Sequence, residues 1–176
     1  EAETKNLVKT IKKGKSVKIK PEYALVIAIA LRAKLKAETP DGQKLWDARL
    51  AVGVGEISFK SDNIVTSDGE AFRLSGHSFD HIGKKRLSIS TPWPDFNTNI
   101  ELVTRFADDL ITSWTAKQAR VVYQSMLFPK PKLQKDLAED LDMTRQNFNY
   151  HWSSARGQLI LDYIEYFKSL ISKYIR

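Results

Sequence analysis

Cysteine is absent from the 176-residue chain. This absence excludes disulfide bonds, thiolate metal sites and cysteine nucleophiles, and it is typical of proteins from a reducing compartment. Long apolar runs are absent too: the longest, YALVIAIAL at 23–31, is shorter than the roughly 18 residues of a membrane helix and runs into Arg32 and Lys34. The first residues, EAETKNLVKTIKK, lack the apolar centre of a signal peptide. We therefore expect a cytoplasmic protein with no membrane contact, and we expect residues before Glu1 because the chain does not open on Met.

The signatures of several common catalytic sites are also missing. No serine stands in a G-x-S-x-G elbow, and Gly53-Val54-Gly55 lacks both the third glycine and the following helix of a dinucleotide-binding fingerprint. His77 and His81 are four residues apart, as in some metal sites, but no third ligand is evident, so packing or surface roles are the better interpretation. The sequence predicts no catalytic residue, no bound metal and no cofactor.

Positive charge is in excess. The chain has 28 Lys and Arg residues against 21 Asp and Glu, a net charge of +7. An excess of this sign favours an anionic partner such as nucleic acid or an acidic surface. Apolar residues make up 42% of the chain, which is enough to build a buried core.

The first part of the chain is patterned as a mixture of helices and strands. The glycines of ARLAVGVGEISF, Gly53 and Gly55, share one face of a strand and leave room for a crossing helix, another backbone or a ligand. Pro21 suits a helix start, and the apolar residues after it lie nearly all round the helix, which predicts a well buried element. The predicted elements are a short helix at 7–11, a strand at 16–20, a helix at 21–37, a strand at 48–59, a helix at 70–82 and a strand at 84–90.

A domain boundary is predicted at TPWPDFNTN, residues 91–99, because its two prolines are typical of a linker. We therefore expect an α+β domain at 1–92 and an all-helical domain at 99–176. The second domain should open with a helix at 99–114, and Thr115 with Gln118 forms a capping box for the next helix.

Two short helices near residue 140 match a helix-turn-helix. Lys132 to Leu141 forms the first, with Ala138 small enough for a close helix crossing. The turn at Asp142-Met143 needs a residue that tolerates positive φ, which Asp does better than most. Thr144 is a good N-cap for the second helix, which presents Phe148 and Trp152 inward.

The outward side of that second helix carries hydrogen-bond donors and acceptors suited to base edges in the major groove of duplex DNA. The candidate base contacts are Arg145, Gln146, Asn147, Asn149 and Tyr150, and the candidate phosphate contacts are Lys132, Lys135, Thr144 and Arg156. His151 lies on the same helix and is also in reach of phosphate. The alternative is a helical hairpin with a polar surface that binds no nucleic acid, and helix-turn-helix units also serve protein contacts.

The last helix, at about 153–175, repeats apolar residues at steps of three and four. Such a seam is typical of a coiled coil and predicts a homodimer, which would suit paired DNA half-sites. The alternative is that the seam packs against the helices of its own chain.

The order of ARLAVGVGEI, SDGEAFRLSG, a linker, SWTAKQARVVY and LAEDLDMTRQNFNYHW resembles the SatD-like bacterial proteins over roughly residues 16–155. The resemblance implies a domain similar to class III nucleotidyl cyclases, with a partial ferredoxin-like sheet, followed by a helix-turn-helix. Cyclases of this class hold two Mg²⁺ ions with two aspartates on early strands. The first such strand is absent from this chain, and at GKSVKIK, residues 14–20, Lys15 stands where the second aspartate is expected.

These departures make catalysis the weaker expectation. We expect a transcriptional regulator that binds double-stranded DNA, with a non-catalytic cyclase-like domain for sensing or association. The alternatives are a cyclase-like enzyme acting on nucleotides and a protein interaction module. If a small molecule or nucleotide binds the first domain, the candidate residues are Gly53, Gly55, Glu56, Asp68 and Glu70.

Overall fold

The computed structural model describes residues 20–56, 69–126 and 133–175. Over these residues the fold is mixed α+β and mostly helical, as predicted at the level of class, with seven α-helices and a two-stranded sheet. The predicted helix at 7–11 and strand at 16–20 lie outside the described residues. After a 3-10 turn at Pro21–Tyr23 the elements are α1 (Ala24–Ala37), β1 (Leu50–Gly53), α2 (Glu70–Asp80), β2 (Leu87–Ser90), α3 (Pro94–Ser113), α4 (Ala116–Met126), α5 (Gln134–Asp140), α6 (Arg145–Ser154) and α7 (Gly157–Ile171).

The sheet is a β-α-β unit. β1 and β2 are parallel and directly paired, with Leu50 opposite Leu87 and Gly53 opposite Ser90, and α2 crosses between them. A parallel pair needs a crossover of this kind because a short hairpin cannot return the chain to the same end of the sheet. The ferredoxin-like arrangement of the sheet stays a prediction.

The prediction that α1 is buried nearly all round is wrong. Leu31 and Leu35 are 45% and 37% exposed, whereas the charged residues Arg32 and Lys36 are 0% and 2% exposed. The helix therefore turns a partly charged face towards the protein interior. The buried positive charges on that face are paired with the carboxylates of Asp47 and Asp108.

Arg32 is the centre of a buried charge network. Its Nε and Nη2 donate to the two carboxylate oxygens of Asp47, each at 2.9 Å, and its Nη1 donates to Asp108 Oδ1 at 2.6 Å. Its Nη2 also donates to Thr112 Oγ1 at 2.9 Å. Lys36 Nζ lies 3.4 Å from Asp47 Oδ2 and donates to the carbonyl of Thr112. The network thereby connects α1, the segment before β1, and α3.

Protonation equilibria in this network follow from burial and pairing. Burial lowers the pKa of Lys36, although the nearby Asp47 carboxylate opposes the change. Burial alone would raise the pKa of Asp47, but the hydrogen bonds and charge of Arg32 outweigh it, so that pKa is lowered. Asp47 is therefore held as a carboxylate, which is the form that Arg32 requires.

The predicted linker at 91–99 is wrong, because α3 begins at Pro94. Proline fits the first turn of a helix because a backbone N–H at that position has no hydrogen-bond acceptor within the helix. Pro94 therefore marks a helix start here rather than a linker. Phe96, two residues on, is fully buried. One core cluster joins Leu25 and Leu87 to Phe96 and Phe167. The division into domains at 1–92 and 99–176 stays a prediction, but the two parts share this core.

Helices α3 and α7 run antiparallel and are joined at three levels. Trp114 Nε1 donates to the carbonyl of Ala155 at 2.9 Å, at the end where α7 begins. The hydroxyls of Thr104 and Tyr163 are hydrogen-bonded at 2.7 Å, and burial raises the pKa of the Tyr163 hydroxyl far above its usual range. At the far level the Phe96 ring contacts Phe167 edge-on, with ring centroids 5.9 Å apart.

The apolar seam of α7 packs into this chain's own core, which is the second of the two alternatives considered for it. These seam residues are therefore not on the surface of the single chain, and the homodimer stays a prediction. The buried seam residues are Ile160, Tyr163, Ile164, Phe167, Leu170 and Ile171. Across the described ranges, no helix has the length and apolar content required to cross a membrane.

Candidate nucleic-acid interface

Helices α4, α5 and α6 form a three-helix unit with a small core of its own. α6 packs against both α4 and α5. Ala138, on α5, is 2% exposed, which agrees with the expectation that a small residue stands where the two short helices cross. The core residues are Val121, Leu137, Ala138, Leu141 and Phe148, with Met143 and Trp152 packed at the edge.

The turn between α5 and α6 has the predicted chemistry. Asp142 has φ of 53°, in the left-handed region. The N–H of Met143 donates back to the carbonyl of Ala138 at 3.0 Å, which closes the end of α5. Thr144 Oγ1 accepts a hydrogen bond from the N–H of Asn147 at 3.1 Å, so the predicted N-cap is confirmed.

Four of the five candidate base contacts lie on the outer surface of α6. Arg145, Gln146 and Asn147 are exposed, and Tyr150 is 66% exposed. Asn149 is only partly exposed, and its Oδ1 is buried with no hydrogen-bond partner in the described part of the chain.

Asn149 lies three positions before the partly buried Trp152, and residues three apart share one side of a helix. The expectation that Asn149 faces outward is therefore wrong for its carbonyl oxygen, which is buried. The exposed side chains of α6 begin in its first turn, at Arg145 and Gln146.

The candidate phosphate contacts are spread over a wider area. Thr144 and Lys135 are exposed, and the Lys135 ammonium lies 3.9 Å from the Glu139 carboxylate. Arg156 is exposed but stands at the start of α7, in a groove against α3 rather than on α6. Lys132 lies outside the described residues.

Sequence reasoning missed Lys117, which is exposed at the start of α4. Burial lowers the pKa of His151, and the positive charge of Lys117 lowers it further, which favours the neutral imidazole at neutral pH. The two residues are therefore close in electrostatic terms although they are far apart in sequence, and no local pattern could have linked them. His151 also packs edge-on against Tyr150, with ring centroids 5.3 Å apart.

The turn itself is acidic. Glu139 and Asp142 border a shallow depression together with Met143 and Thr144. Two carboxylates at this point make the turn itself unfavourable for an anion.

The second candidate site, at the end of β1, is occupied by α2. A Cβ on Gly53 would lie 2.2 Å from the carbonyl oxygen of Ala71, and one on Gly55 would lie 2.9 Å from Glu70 Oε2. Of the three explanations for these glycines, a crossing helix is the one that the structure shows.

The acidic residues at the same end of β1 are engaged by backbone groups. The N–H of Ala71 donates to the carbonyl of Glu56 at 3.2 Å, and the N–H of Glu56 lies 3.4 Å from Glu70 Oε2. Asp68 lies outside the described residues. Ligand binding at Gly53, Gly55, Glu56 and Glu70 stays a prediction, and within residues 20–56, 69–126 and 133–175 no group of three or more His, Asp or Glu side chains is placed to hold a metal.

Exchanging Gly53 for alanine is expected to destabilise the fold by about 1–3 kcal/mol, because the added methyl group overlaps the backbone of α2. Gly76 provides the matched control: it lies inside α2 with nothing within 4 Å of an added Cβ. Gly76→Ala should stabilise the protein by up to about 1 kcal/mol through helix propensity. Thermal unfolding of the two variants measures the difference, and equal stability would show that α2 does not cross β1 this closely.

Comparison of the chain with protein-family models, with curated proteins and with solved structures finds no match. The resemblance to SatD-like proteins therefore stays a prediction from the motifs quoted above.

Proposed function

We propose that this protein binds duplex DNA through the exposed first turns of α6. The observation that carries the proposal is the division of that helix into two sides. Phe148 is 1% exposed and fixed in the small core, while Arg145, Gln146 and Asn147 face solvent at the N-terminal end. In a helix-turn-helix this end of the second helix enters the major groove.

The side chains at this end suit the recognition of bases. An arginine can donate two hydrogen bonds to guanine, and an uncovered glutamine or asparagine amide can pair in the same way with adenine. Arg145 and Gln146 are therefore assigned direct contacts with base edges. Asn149 is assigned a supporting role, because its carbonyl oxygen is turned inward.

Phosphate contacts would supply most of the affinity. The net charge of +7 and the exposed Lys117 and Lys135 near α6 fit that role, whereas Thr144 borders the acidic depression. Binding of this kind weakens steeply as salt rises, because each neutralised phosphate releases counterions. A shallow salt dependence would therefore contradict the proposal.

For the first part of the chain we propose a non-catalytic role, in which it associates with the helical part of the same chain and supports it. The space beside the β1 glycines is filled by α2, and the buried Arg32 network links α1 to α3. The first part thereby holds the helical part that carries α6.

Selection from a random pool of duplexes, followed by gel-shift titration at low salt, tests the function. Arg145→Ala and Gln146→Ala should each weaken binding to the selected sequence by about 1–3 kcal/mol, or roughly 5- to 150-fold, and change binding to random DNA far less. Arg105→Ala removes an equally exposed arginine from α3 and is the control for charge alone. Absence of any retarded duplex with the unaltered protein would refute DNA binding, and equal losses on selected and random DNA would refute base recognition by α6.

A further inference from the structure

A groove between α3 and α7 is apolar and open to solvent. Its volume is about 750 Å³. Phe106 on α3 is 70% exposed at its edge, and Leu159 on α7 is 60% exposed. Val103, Leu110 and Tyr166 also line it. Exposed apolar side chains that line one open groove are a feature of surfaces that dock another molecule.

The groove also carries charged side chains of both signs. Arg156 stands at the end where α7 begins, and Asp162 stands further along the same helix. Asp109 faces them from α3. Within the described residues none of these three side chains forms an ion pair, and Asp162 Oδ1 accepts a hydrogen bond from Gln158.

We propose that a second copy of this chain covers the groove, with the two α7 helices antiparallel about a two-fold axis at Leu159. Arg156 and Asp162 lie equally far from Leu159 on either side of it in the sequence. A two-fold axis there places Arg156 of each copy opposite Asp162 of the other, so the same ion pair forms twice. Leu159 meets its own counterpart, and Phe106 of each copy enters the groove of the other.

The charge distribution selects a second copy over a different partner. The chain as a whole has a net charge of +7, whereas the groove contains one cation and two carboxylates, a local charge of 1 − 2 = −1. Two copies therefore meet where their mutual repulsion is weakest. A symmetric interface requires one surface to supply both members of each contact. This surface supplies the projecting Phe106 together with the groove that receives it, and Arg156 together with Asp162.

The pairing differs from the coiled coil suggested by the sequence, because the seam of that coiled coil is buried in the monomer. Neither Arg145 nor Gln146 lines the groove, so each dimer would present two copies of α6. The inference concerns the protein alone and stands or falls separately from DNA binding.

Sedimentation equilibrium of the full chain without DNA, over a wide concentration range, tests the dimer. The unaltered protein should approach twice the chain mass of 20.1 kDa. Leu159→Asp should weaken dimerisation on the order of hundredfold, because two carboxylates then face each other at the axis. Leu31→Asp, which alters an exposed leucine of α1 outside the groove, should leave it unchanged. A monomer at every concentration, or a dimer insensitive to Leu159→Asp, would overturn the proposal.

Charge exchange tests the antiparallel register. Arg156→Asp and Asp162→Arg should each weaken dimerisation by about tenfold, because like charges then meet at both ends of the interface. The double variant restores opposite charges across the axis and should recover most of the loss. Additive loss in the double variant would show that these two residues do not face each other, even if a dimer forms.

Discussion

Replacing Arg32 with alanine is expected to lower the free energy of unfolding by about 3–5 kcal/mol. The arginine is 0% exposed and donates to Asp47, Asp108 and Thr112. Its removal leaves two carboxylates in the protein interior without their principal cation. The cost arises chiefly from this isolation of the carboxylates, since the intact network offsets the desolvation of its own charges.

Lys34 is the matched control for this variant. It lies on the same helix and pairs with Glu38 at 2.6 Å, but both side chains are about half exposed. Lys34→Ala should therefore cost only about 0.3–0.5 kcal/mol. Urea unfolding followed by tryptophan fluorescence measures both variants. A cost for Arg32→Ala as small as that for Lys34→Ala would show that Arg32 is solvated.

A double-mutant cycle isolates the pairing itself. Arg32→Met and Asp108→Asn together should cost less than the sum of the single changes. Each single variant leaves one charge of this pair without the other, whereas the double variant removes both charges. The network spans α1, Asp47 in the segment before β1, and α3, so the first and second parts of the chain should also unfold in one transition. Additive costs would contradict direct pairing of these two residues.

Features set by neighbouring residues are the ones that the sequence predicts well. The capping box is present, with the Thr115 N–H donating to Gln118 Oε1 at 2.8 Å and the Gln118 N–H donating to Thr115 Oγ1 at 3.3 Å. The positive φ of Asp142 and the Thr144 cap are of the same kind. Each depends on residues within one helical turn, where side-chain chemistry and spacing decide the outcome.

Features set by distant contacts are the ones that the sequence hides. Arg32 and Asp108 are 76 residues apart, so nothing around Arg32 indicates that it is buried. Pro94 suits a linker or a helix start equally well, and the burial of Phe96 against other elements decides between them. The same holds for Asn149, whose residue type does not indicate that its carbonyl oxygen is buried.

Exchanging Phe148 for alanine should lower the free energy of unfolding of the protein by about 3–5 kcal/mol and abolish DNA binding. Its ring fills the small core between α4, α5 and α6, and this cluster contains few other large side chains to close the cavity. The position of α6 depends on this core. A variant with intact stability would show that the cluster does not hold α6.

Tyr150 separates the folding of α6 from its contact with DNA. It is an aromatic residue on the same helix but is 66% exposed. Tyr150→Ala should change stability by no more than about 0.5 kcal/mol. It should weaken DNA binding on the order of tenfold, through loss of a hydrogen bond from its hydroxyl to the DNA. Stability and gel-shift measurements should therefore separate the two variants. Phe148→Ala should lose both stability and DNA binding, whereas Tyr150→Ala should lose DNA binding alone. Normal DNA binding by Tyr150→Ala would show that this side of α6 does not contact DNA, and the exposed donors of its first turn would then need another partner.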